Sequence, residues 1–312
     1  ATINVAASEV THMLLDETQN RLDITDQNIV VTESISVDDA NLLSATTTGV
    51  VTASIATTES VNELKTLTET SNAYTIVISS ADATAAAEDL STLDAKTTVT
   101  IDASEVTSLT GTYAEITALY ESAGVGNLGN EAVSISDALS VSQANIIDGL
   151  TTGAITATIG NSRVSEIVGG TPLLNANNNN AYTIVVSTED AAVSASDLNV
   201  INGLTTVAVD LTNVTSITSS SLVDLGTLGT AIGNSEFSNA TGITTIALGD
   251  TTVDATALAA TIDSLDTLNG DATTGITLES GATINVAASE VTHMLLDETC
   301  LLYTSPSPRD PH

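Results

Sequence analysis

The amino-acid sequence predicts an α/β solenoid, a right-handed coil of strand, turn and short-helix repeats with one parallel β-sheet. Three observations predict this fold: a unit of about 27 residues recurs, each unit opens with an alternating strand-like segment, and each continues into a segment with helical spacing. Strands joined by such crossovers pair in parallel, and the crossovers are right-handed. The predicted strand starts, which span 246 residues in nine steps, lie near Val30, Gly49, Ala73, Val99, Ala132, Gly153, Ala181, Val207, Ile243 and Ile276.

The predicted strands alternate apolar and polar residues with a period of two, as half-buried strands do. In one of them Val51, Ala53 and Ile55 alternate with Thr52 and Ser54. The many β-branched side chains also suit a pleated surface. We therefore expect one aliphatic face that packs inward and one outward face of mostly Thr, Ser and Asp.

The second half of each unit carries apolar residues three or four positions apart, which is the spacing of one helix face. Leu258, Ile262 and Leu265 are an example. Helices of two or three turns are unstable alone, so each has to pack on its own strand and on neighbouring units. The alternative is an all-β parallel helix in which these Ala/Leu segments form further strands. The predicted helix N-caps are Ser60, Asp82, Ser142, Ser194 and Asp254.

Residues 1–299 are expected to form a single repeat solenoid, a fragment of a longer array, and residues 300–312 a non-native or disordered tail. The tail, CLLYTSPSPRDPH, holds the only Cys and three of the four Pro, and it is similar to one reading frame of a transposase adapter used in DNA library preparation. Residues 1–18 recur unchanged at 282–299. Either a recent duplication of the gene segment or a nucleotide-sequence assembly that joined its end to its own start would produce that identity.

The charge balance bears on the class of partner. The chain has 39 acidic and 5 basic residues, a formal net charge of −34, and 2 % aromatic residues. Nucleic acid is not expected as a partner, because binding it requires a basic surface and usually rings that stack on bases. Anionic membrane surfaces and membrane insertion are not expected either. A mean hydropathy of +0.26 with 42 % hydrophobic residues nevertheless predicts a folded chain.

Calcium is the one ion that the composition favours, because carboxylates supply hard oxygen ligands. Asp23, Asp26 and Asn28 lie in one predicted turn, and Asn269 and Asp271 lie in another. Neither turn matches the EF-hand loop, so a solvated acidic face with turn caps is the competing interpretation. No other cofactor is expected.

Catalytic patterns are not found in the sequence. His12 and His293 occupy the same position of the duplicated segment, and we expect both to be exposed. Phosphate-binding glycine loops, nucleophile elbows and dinucleotide fingerprints are missing, and the many Ser and Thr have no base placed beside them by any motif. The sequence therefore predicts a protein that is not an enzyme.

The native stretch resembles the Ala/Thr/Asp-rich repeat arrays of very large secreted or cell-surface bacterial proteins. The similarity lies in residues 72–125, in EAVSISDALSVSQANIIDGLTTGAITATI at 131–159 and in NAYTIVVSTED at 180–190. The resemblance implies an extracellular or cell-surface stalk, surface-layer component or adhesin shaft, often stabilised by calcium. Its expected partners are neighbouring repeats or copies of itself placed end to end, and a glycan or another surface partner.

Three alternative functions compete with a structural shaft. A glycan-binding module would need aromatic platforms, and Tyr74 and Tyr182 are predicted on the inner face of their strands. A polysaccharide-acting β-helix enzyme would need Asp residues that meet across adjacent repeats. Ice binding would need regular outward Thr-x-Thr rows, but of the outward pairs only Thr156 and Thr158 form one.

Overall fold

A computed structural model describes residues 1–160, 163–169, 174–175, 179–265 and 276–287, and the backbone of Leu301–Leu302. Its α-helices are α1 (Val10–Thr18), α2 (Val37–Thr46), α3 (Val61–Leu64), α4 (Ala87–Asp94), α5 (Tyr113–Glu121), α6 (Val141–Asp148), α7 (Val164–Val168), α8 (Ala195–Asn202), α9 (Leu222–Gly233) and α10 (Ala255–Leu265). Short 3₁₀ turns occupy Ala7–Glu9, Ser80–Asp82 and Ala240–Gly242.

The strands are mostly short. They are β1 (Thr2–Val5), β2 (Asn28–Ile35), β3 (Val51–Ile55), β4 (Ala73–Thr75), β5 (Thr84–Ala86), β6 (Ile101–Asp102), β7 (Ser108–Gly111), β8 (Val125–Gly126), β9 (Ala132–Leu139), β10 (Ile155–Ile159), β11 (Ala181–Ile184), β12 (Ala192–Val193), β13 (Val209–Asp210), β14 (Ser216–Ser220), β15 (Phe237–Ser238), β16 (Thr245–Leu248), β17 (Thr252–Asp254), β18 (Ile276–Leu278), β19 (Thr283–Asn285) and β20 (Leu301–Leu302). Seven of these twenty end within one residue of the start of an α-helix: β2, β5, β7, β9, β12, β14 and β17.

The predicted α/β class is confirmed, because helices alternate with strands that pair in parallel. Paired residues lie between 20 positions apart (Ile35 with Ile55) and 31 positions apart (Thr252 with Thr283), on either side of the expected repeat length. The Ala/Leu segments are helices, so the all-β alternative is wrong.

The expectation of one parallel sheet is also wrong, since the described strands form several parallel sheets. The physical reason is that many repeats contribute two short strands, which belong to different sheets. For example, β4 pairs with β3, whereas β5, only eight residues further on, pairs with β7. A register shift between Val30 and Ser34 also breaks the pairing of β2 with β3.

The first compact unit comprises Ala1–Asp137 and Ile147–Ile155. Strands β1 to β4 form one sheet in sequence order, β5, β7 and β9 pair successively, and β6 pairs with β8. The predicted alternation is confirmed in β3, whose three aliphatic side chains are buried while Thr52 and Ser54 are exposed. Helices α1 and α2 pack together, as do α3 and α4, and α4 and α5.

The second compact unit comprises Ala138–Ile146 and Thr156–His312. Strands β12, β14, β16 and β18 pair in that order, and β20 pairs with β18. Ile217, Ile246 and Ile276 lie in register on these strands and are all buried. Each buried aliphatic side chain contributes about 1.5–3 kcal/mol. Helix α9 packs on both α8 and α10, so the core continues between repeats.

Three of the five predicted helix N-caps are confirmed: Ser60, Ser194 and Asp254. The Ser60 and Ser194 side chains accept hydrogen bonds from their own first turns, and Asp254 accepts from the N–H groups of Thr256 and Ala257. The predictions for Asp82 and Ser142 are wrong. Ser142 lies inside α6, where the Ser140 hydroxyl accepts from the Gln143 N–H instead, and the role of Asp82 is described below.

Among the described residues, no helix is both long and apolar enough to cross a membrane.

Candidate functional site

Buried or half-buried threonines connect neighbouring repeats by hydrogen bonds to the backbone. The Thr47 hydroxyl donates to the Gln27 carbonyl at 2.7 Å and accepts from the Gly49 N–H at 3.0 Å. Because the hydroxyl is buried, it replaces water for two backbone groups. The same donation to a carbonyl 20 to 23 residues upstream recurs, and we call these residues the turn ladder: Thr47, Thr97, Thr151 and Thr205.

The second Thr of each pair extends the turn ladder. The N–H of Thr48 donates to the Thr25 carbonyl at 2.8 Å, and the Thr48 hydroxyl donates to the same oxygen at 3.0 Å. Thr98, Thr152 and Thr206 bond the preceding repeat in the same way. The Thr-Thr pairs near the ends of these repeats are therefore structural.

Two glycines follow these pairs because the backbones approach closely. A Cβ at Gly49 would lie 2.2 Å from the Gln27 carbonyl oxygen, and one at Gly153 would lie 2.2 Å from the Glu131 carbonyl oxygen. No side chain fits at that separation from the preceding repeat.

Two Asn-Tyr pairs are buried beside the turn ladder. The Asn72 amide donates to the Tyr74 hydroxyl at 3.1 Å, that hydroxyl donates to the Ala40 carbonyl, and Asn72 Oδ1 accepts from the Val51 N–H at 2.8 Å. Burial raises the pKa of the Tyr74 phenol. Asn180 and Tyr182 repeat the amide-to-hydroxyl bond.

The predicted inner-face position of both tyrosines is confirmed, since neither exposes more than 1 % of its surface. They are therefore not available as an exposed platform for a glycan ring.

Acidic residues connect the helices of neighbouring repeats. Asp82 Oδ2 accepts the first N–H of α3, from Val61, at 3.0 Å, so Asp82 caps the preceding helix rather than its own. A carboxylate at a helix N-terminus satisfies an unpaired N–H and interacts favourably with the helix dipole. Comparable bonds, at 2.7–3.4 Å and 21 to 28 residues apart, define the cap ladder: Glu33, Glu59, Asp82, Asp137, Asp190 and Asp250.

A third contact between repeats joins an Asp at a strand end to an Asn in the left-handed conformation. Asp102 Oδ1 accepts from the Asn127 amide at 2.8 Å and from the Ser104 N–H at 3.0 Å, and φ of Asn127 is +64°. These bonds hold the pKa of the Asp102 carboxyl below its ordinary value.

Asp210 shows the same arrangement in the second compact unit. Burial raises the pKa of its carboxyl, but hydrogen bonds from Thr212 and Asn239 lower that pKa by more. Asn239 also has a positive φ, +56°.

The predicted calcium ligands in the first turn have local partners. Asp23 Oδ1 accepts from the N–H and the hydroxyl of Thr25, which lowers the pKa of that carboxyl. Asp26 accepts from Gln27, and Asn28 Oδ1 accepts from the Val50 N–H at 2.9 Å. Within the described ranges, no three acidic, His or Cys side chains form a group that could hold a metal ion.

The other predicted site residues are only partly described. Asn269, Asp271 and His293 lie outside the described residues. His12 is exposed on α1, as the sequence predicts.

Sequence reasoning missed the cap ladder and the Asp-Asn contacts. A signal was present: each cap-ladder acid follows the first residue of a helix by about one repeat length. The predicted acidic face is therefore partly a set of helix caps that act between repeats.

Neither a protein-family model, nor a curated protein, nor a solved structure matches this chain.

Proposed function

We propose that this chain is a non-catalytic structural or adhesive repeat segment of an extracellular or cell-surface protein. In this proposal the repeats stack as a right-handed α/β solenoid and form an elongated acidic shaft. The observation that carries it is the pair of ladders. Polar side chains in many of the repeats bond the backbone of the preceding repeat along the chain.

The ladders favour a structural role because they occupy the polar groups that an active site would need. The buried hydroxyl of Thr47 is bonded to backbone on both sides, and Asp82 is bonded to a helix end. Repeats that bind mainly their neighbours give a quasi-one-dimensional protein, whose length increases with each added repeat.

The charge supports the same proposal. A net charge of −34 keeps such a shaft soluble and repels parallel shafts, and salt or divalent cations would screen that repulsion. Partners in this proposal are neighbouring repeats or further copies of the chain placed end to end.

The test is a tandem series of one, two and four copies of residues 1–281, imaged by negative-stain electron microscopy. Residues 282–299 repeat residues 1–18, so the fusion keeps a junction that the sequence already contains. At a strand spacing of about 4.8 Å, about ten repeats add about 50 Å per copy. We expect particle length to increase by that amount at constant width.

The control inserts a flexible Gly/Ser linker between the copies, which should give particles that bend at the linker. Directly fused copies that form separate globules, with the same angular spread as the linker control, would contradict the proposal.

A further inference from the structure

One segment of the chain occurs twice and pairs with a different strand in each copy. We call residues 1–18 the first copy and residues 282–299 the second copy, and their sequences are identical. Strand β1 of the first copy pairs with β2, and β19 of the second copy pairs with β17. Among the described residues, neither β1 nor β19 pairs with a further strand. The same short sequence is thus seen at two positions, each time with one neighbouring strand.

The two copies use opposite edges of this strand. The Asn28 N–H donates to the Ala1 carbonyl at 3.0 Å, so Ala1 directs its carbonyl toward β2. The Thr283 N–H donates to the Thr251 carbonyl at 2.8 Å, so Thr283 directs its N–H toward β17. Thr283 corresponds to Thr2, which follows Ala1, and successive residues of a strand direct their backbone groups to opposite edges. One copy of the sequence can therefore bond both neighbouring strands at the same time.

Val5 and Val286, which correspond in the two copies, are buried unequally. Val5 lies opposite Val31 of β2 and is buried, whereas Val286 is half-buried. Within the described ranges, β19 has β17 on one edge and no strand on the other. A free strand edge offers N–H and C=O groups that another strand can bond. The position that β2 fills beside the first copy is therefore open beside the second copy.

We propose that two molecules of this protein join end to end by exchanging this segment: residues 282–287 of one molecule replace residues 1–6 of the other on its β2. Thr283 then lies opposite Asn28 of the second molecule while it stays opposite Thr252 of its own. The contact is head to tail, so the second molecule keeps its own second copy free to join a third. This inference rests on the proposed function, because it names the contact that places molecules end to end.

The first copy competes with this exchange. Because the two copies have the same sequence, the bonds that β2 loses when β1 leaves are those that it regains with β19 of the other molecule. Strand β1 is tethered to its own β2, at an effective concentration of about 1 mM, so the unmodified protein is expected to be mainly monomeric well below that concentration. A change that weakens the first copy alone should shift the balance toward the second copy of another molecule.

The test introduces the same substitution into either copy of the full chain. Val5→Asp places a charge at a buried position beside β2 and weakens the first copy only. At about 0.1 mM protein we expect a weight-average mass at least about twice that of the monomer, measured by sedimentation equilibrium. Val286→Asp changes the second copy only and should leave the protein monomeric. The double variant has no intact copy and should also be monomeric, although it weakens the same contact with β2.

A synthetic peptide isolates the contact with β2. The probe is fluorescein-labelled ATINVAASEVTHMLLDET, the sequence that both copies share. We expect it to bind the Val5→Asp protein at least about tenfold more tightly than the unmodified protein, measured by fluorescence anisotropy. An excess of the peptide should also return the Val5→Asp protein to the monomer, because it fills the position beside β2. The same peptide with Asp in place of its fifth residue is the control and should bind neither protein.

Three results would each overturn the exchange, with folding of every variant checked by circular dichroism. They are a monomeric Val5→Asp protein, a Val5→Asp protein that does not bind the peptide, and a double variant that associates as strongly as Val5→Asp. Any of these together with rod-shaped tandem particles would reject the exchange and leave the proposed shaft intact. Specific association of Val5→Asp into compact clusters, with globular tandem particles, would support the exchange and reject the shaft.

Discussion

The turn ladder and the cap ladder bridge repeats over similar sequence distances, but they do so with different chemistry. Turn-ladder hydroxyls such as Thr47 and Thr97 are buried and neutral, and they bond carbonyls at 2.6–2.7 Å. Cap-ladder carboxylates such as Glu33 and Asp82 are charged and exposed or half-buried, and they bond at 2.7–3.4 Å.

Because of this difference, we expect the two ladders to have different roles. A buried neutral bond leaves unsatisfied backbone groups when it is removed, so the turn ladder sets the spacing of successive repeats. A charged bond near the surface can be replaced by water and is screened by salt, so the cap ladder adjusts stability. Substitutions in the turn ladder should therefore cost more free energy of unfolding than substitutions in the cap ladder.

The largest effect is expected for Gly153→Ala. The added Cβ would lie 2.2 Å from the Glu131 carbonyl oxygen, so the two repeats have to separate. We expect a loss of about 3 kcal/mol or more in the free energy of unfolding, measured by urea denaturation. Gly203→Ala is the matched control, because its Cβ would meet nothing closer than 3.4 Å. Equal stability of the two variants would contradict the close approach.

Thr47→Val tests the turn ladder without changing side-chain volume. It removes the hydroxyl that joins the Gln27 carbonyl to the Gly49 N–H and leaves both groups buried without that partner. We expect a loss of about 2–3 kcal/mol. Thr47→Ser keeps the hydroxyl and should retain most of the stability. If Ser and Val variants melt at the same temperature, the hydroxyl is not the stabilising group.

Asp82→Ala tests the cap ladder and should cost about 1 kcal/mol, the usual value for a lost helix cap. Asp82→Asn keeps an oxygen acceptor for the Val61 N–H and should cost less. Added salt screens the attraction between the carboxylate and the helix end, so the difference between the Asp and Asn proteins should shrink at 1 M NaCl, where the Debye length is about 3 Å. A difference that grows with salt would contradict this account.

The sequence could predict the strands that carry aliphatic residues on one face, but not the short strands. Every predicted strand start lies within two residues of an observed strand, because aliphatic alternation in segments such as Val51–Ile55 follows directly from burial on one face. Short strands such as β5 (Thr84–Ala86) and β14 (Ser216–Ser220) contain too few apolar residues to show a period, so their existence depends on the neighbouring repeat.

Helix α9 shows a different limit. Its three glycines disfavour a helix by propensity, yet it is the longest helix among the described residues. A Cβ at Gly229 would lie 2.1 Å from the Ser264 hydroxyl, so this glycine allows α10 to approach closely. Tertiary packing therefore decides the structure there.

The site residues were harder to predict than the strands. Acid composition alone suggested calcium at Asp23 and Asp26, whereas the structure uses Asp82 and Asp102 to bond a neighbouring repeat. The pairing register of the strands decides which acid bonds which N–H. Without that register, the sequence does not show whether an acid caps its own helix or the helix of the preceding repeat.

The smallest expected effect concerns pH and Asp102. The carboxyl pKa is lower in the folded protein than its ordinary value of about 3.9, so the ionised form stabilises the fold above that pH. This stabilisation is lost as the pH falls through about 4 toward the folded-state pKa. Because Asp102 lies near the surface, we expect Asp102→Asn to cost less than about 1 kcal/mol at pH 7 and close to nothing at pH 3.

The comparison protein for this measurement is Asp263→Asn, which removes one charge from an exposed position of α10. It corrects for the general relief of repulsion in a chain with a net charge of −34. Urea denaturation at both pH values should show Asp102→Asn less stable than Asp263→Asn at pH 7 and equally stable at pH 3. If Asp102→Asn is still less stable than Asp263→Asn at pH 3, the ionised charge of Asp102 is not what stabilises its bond to the Asn127 amide.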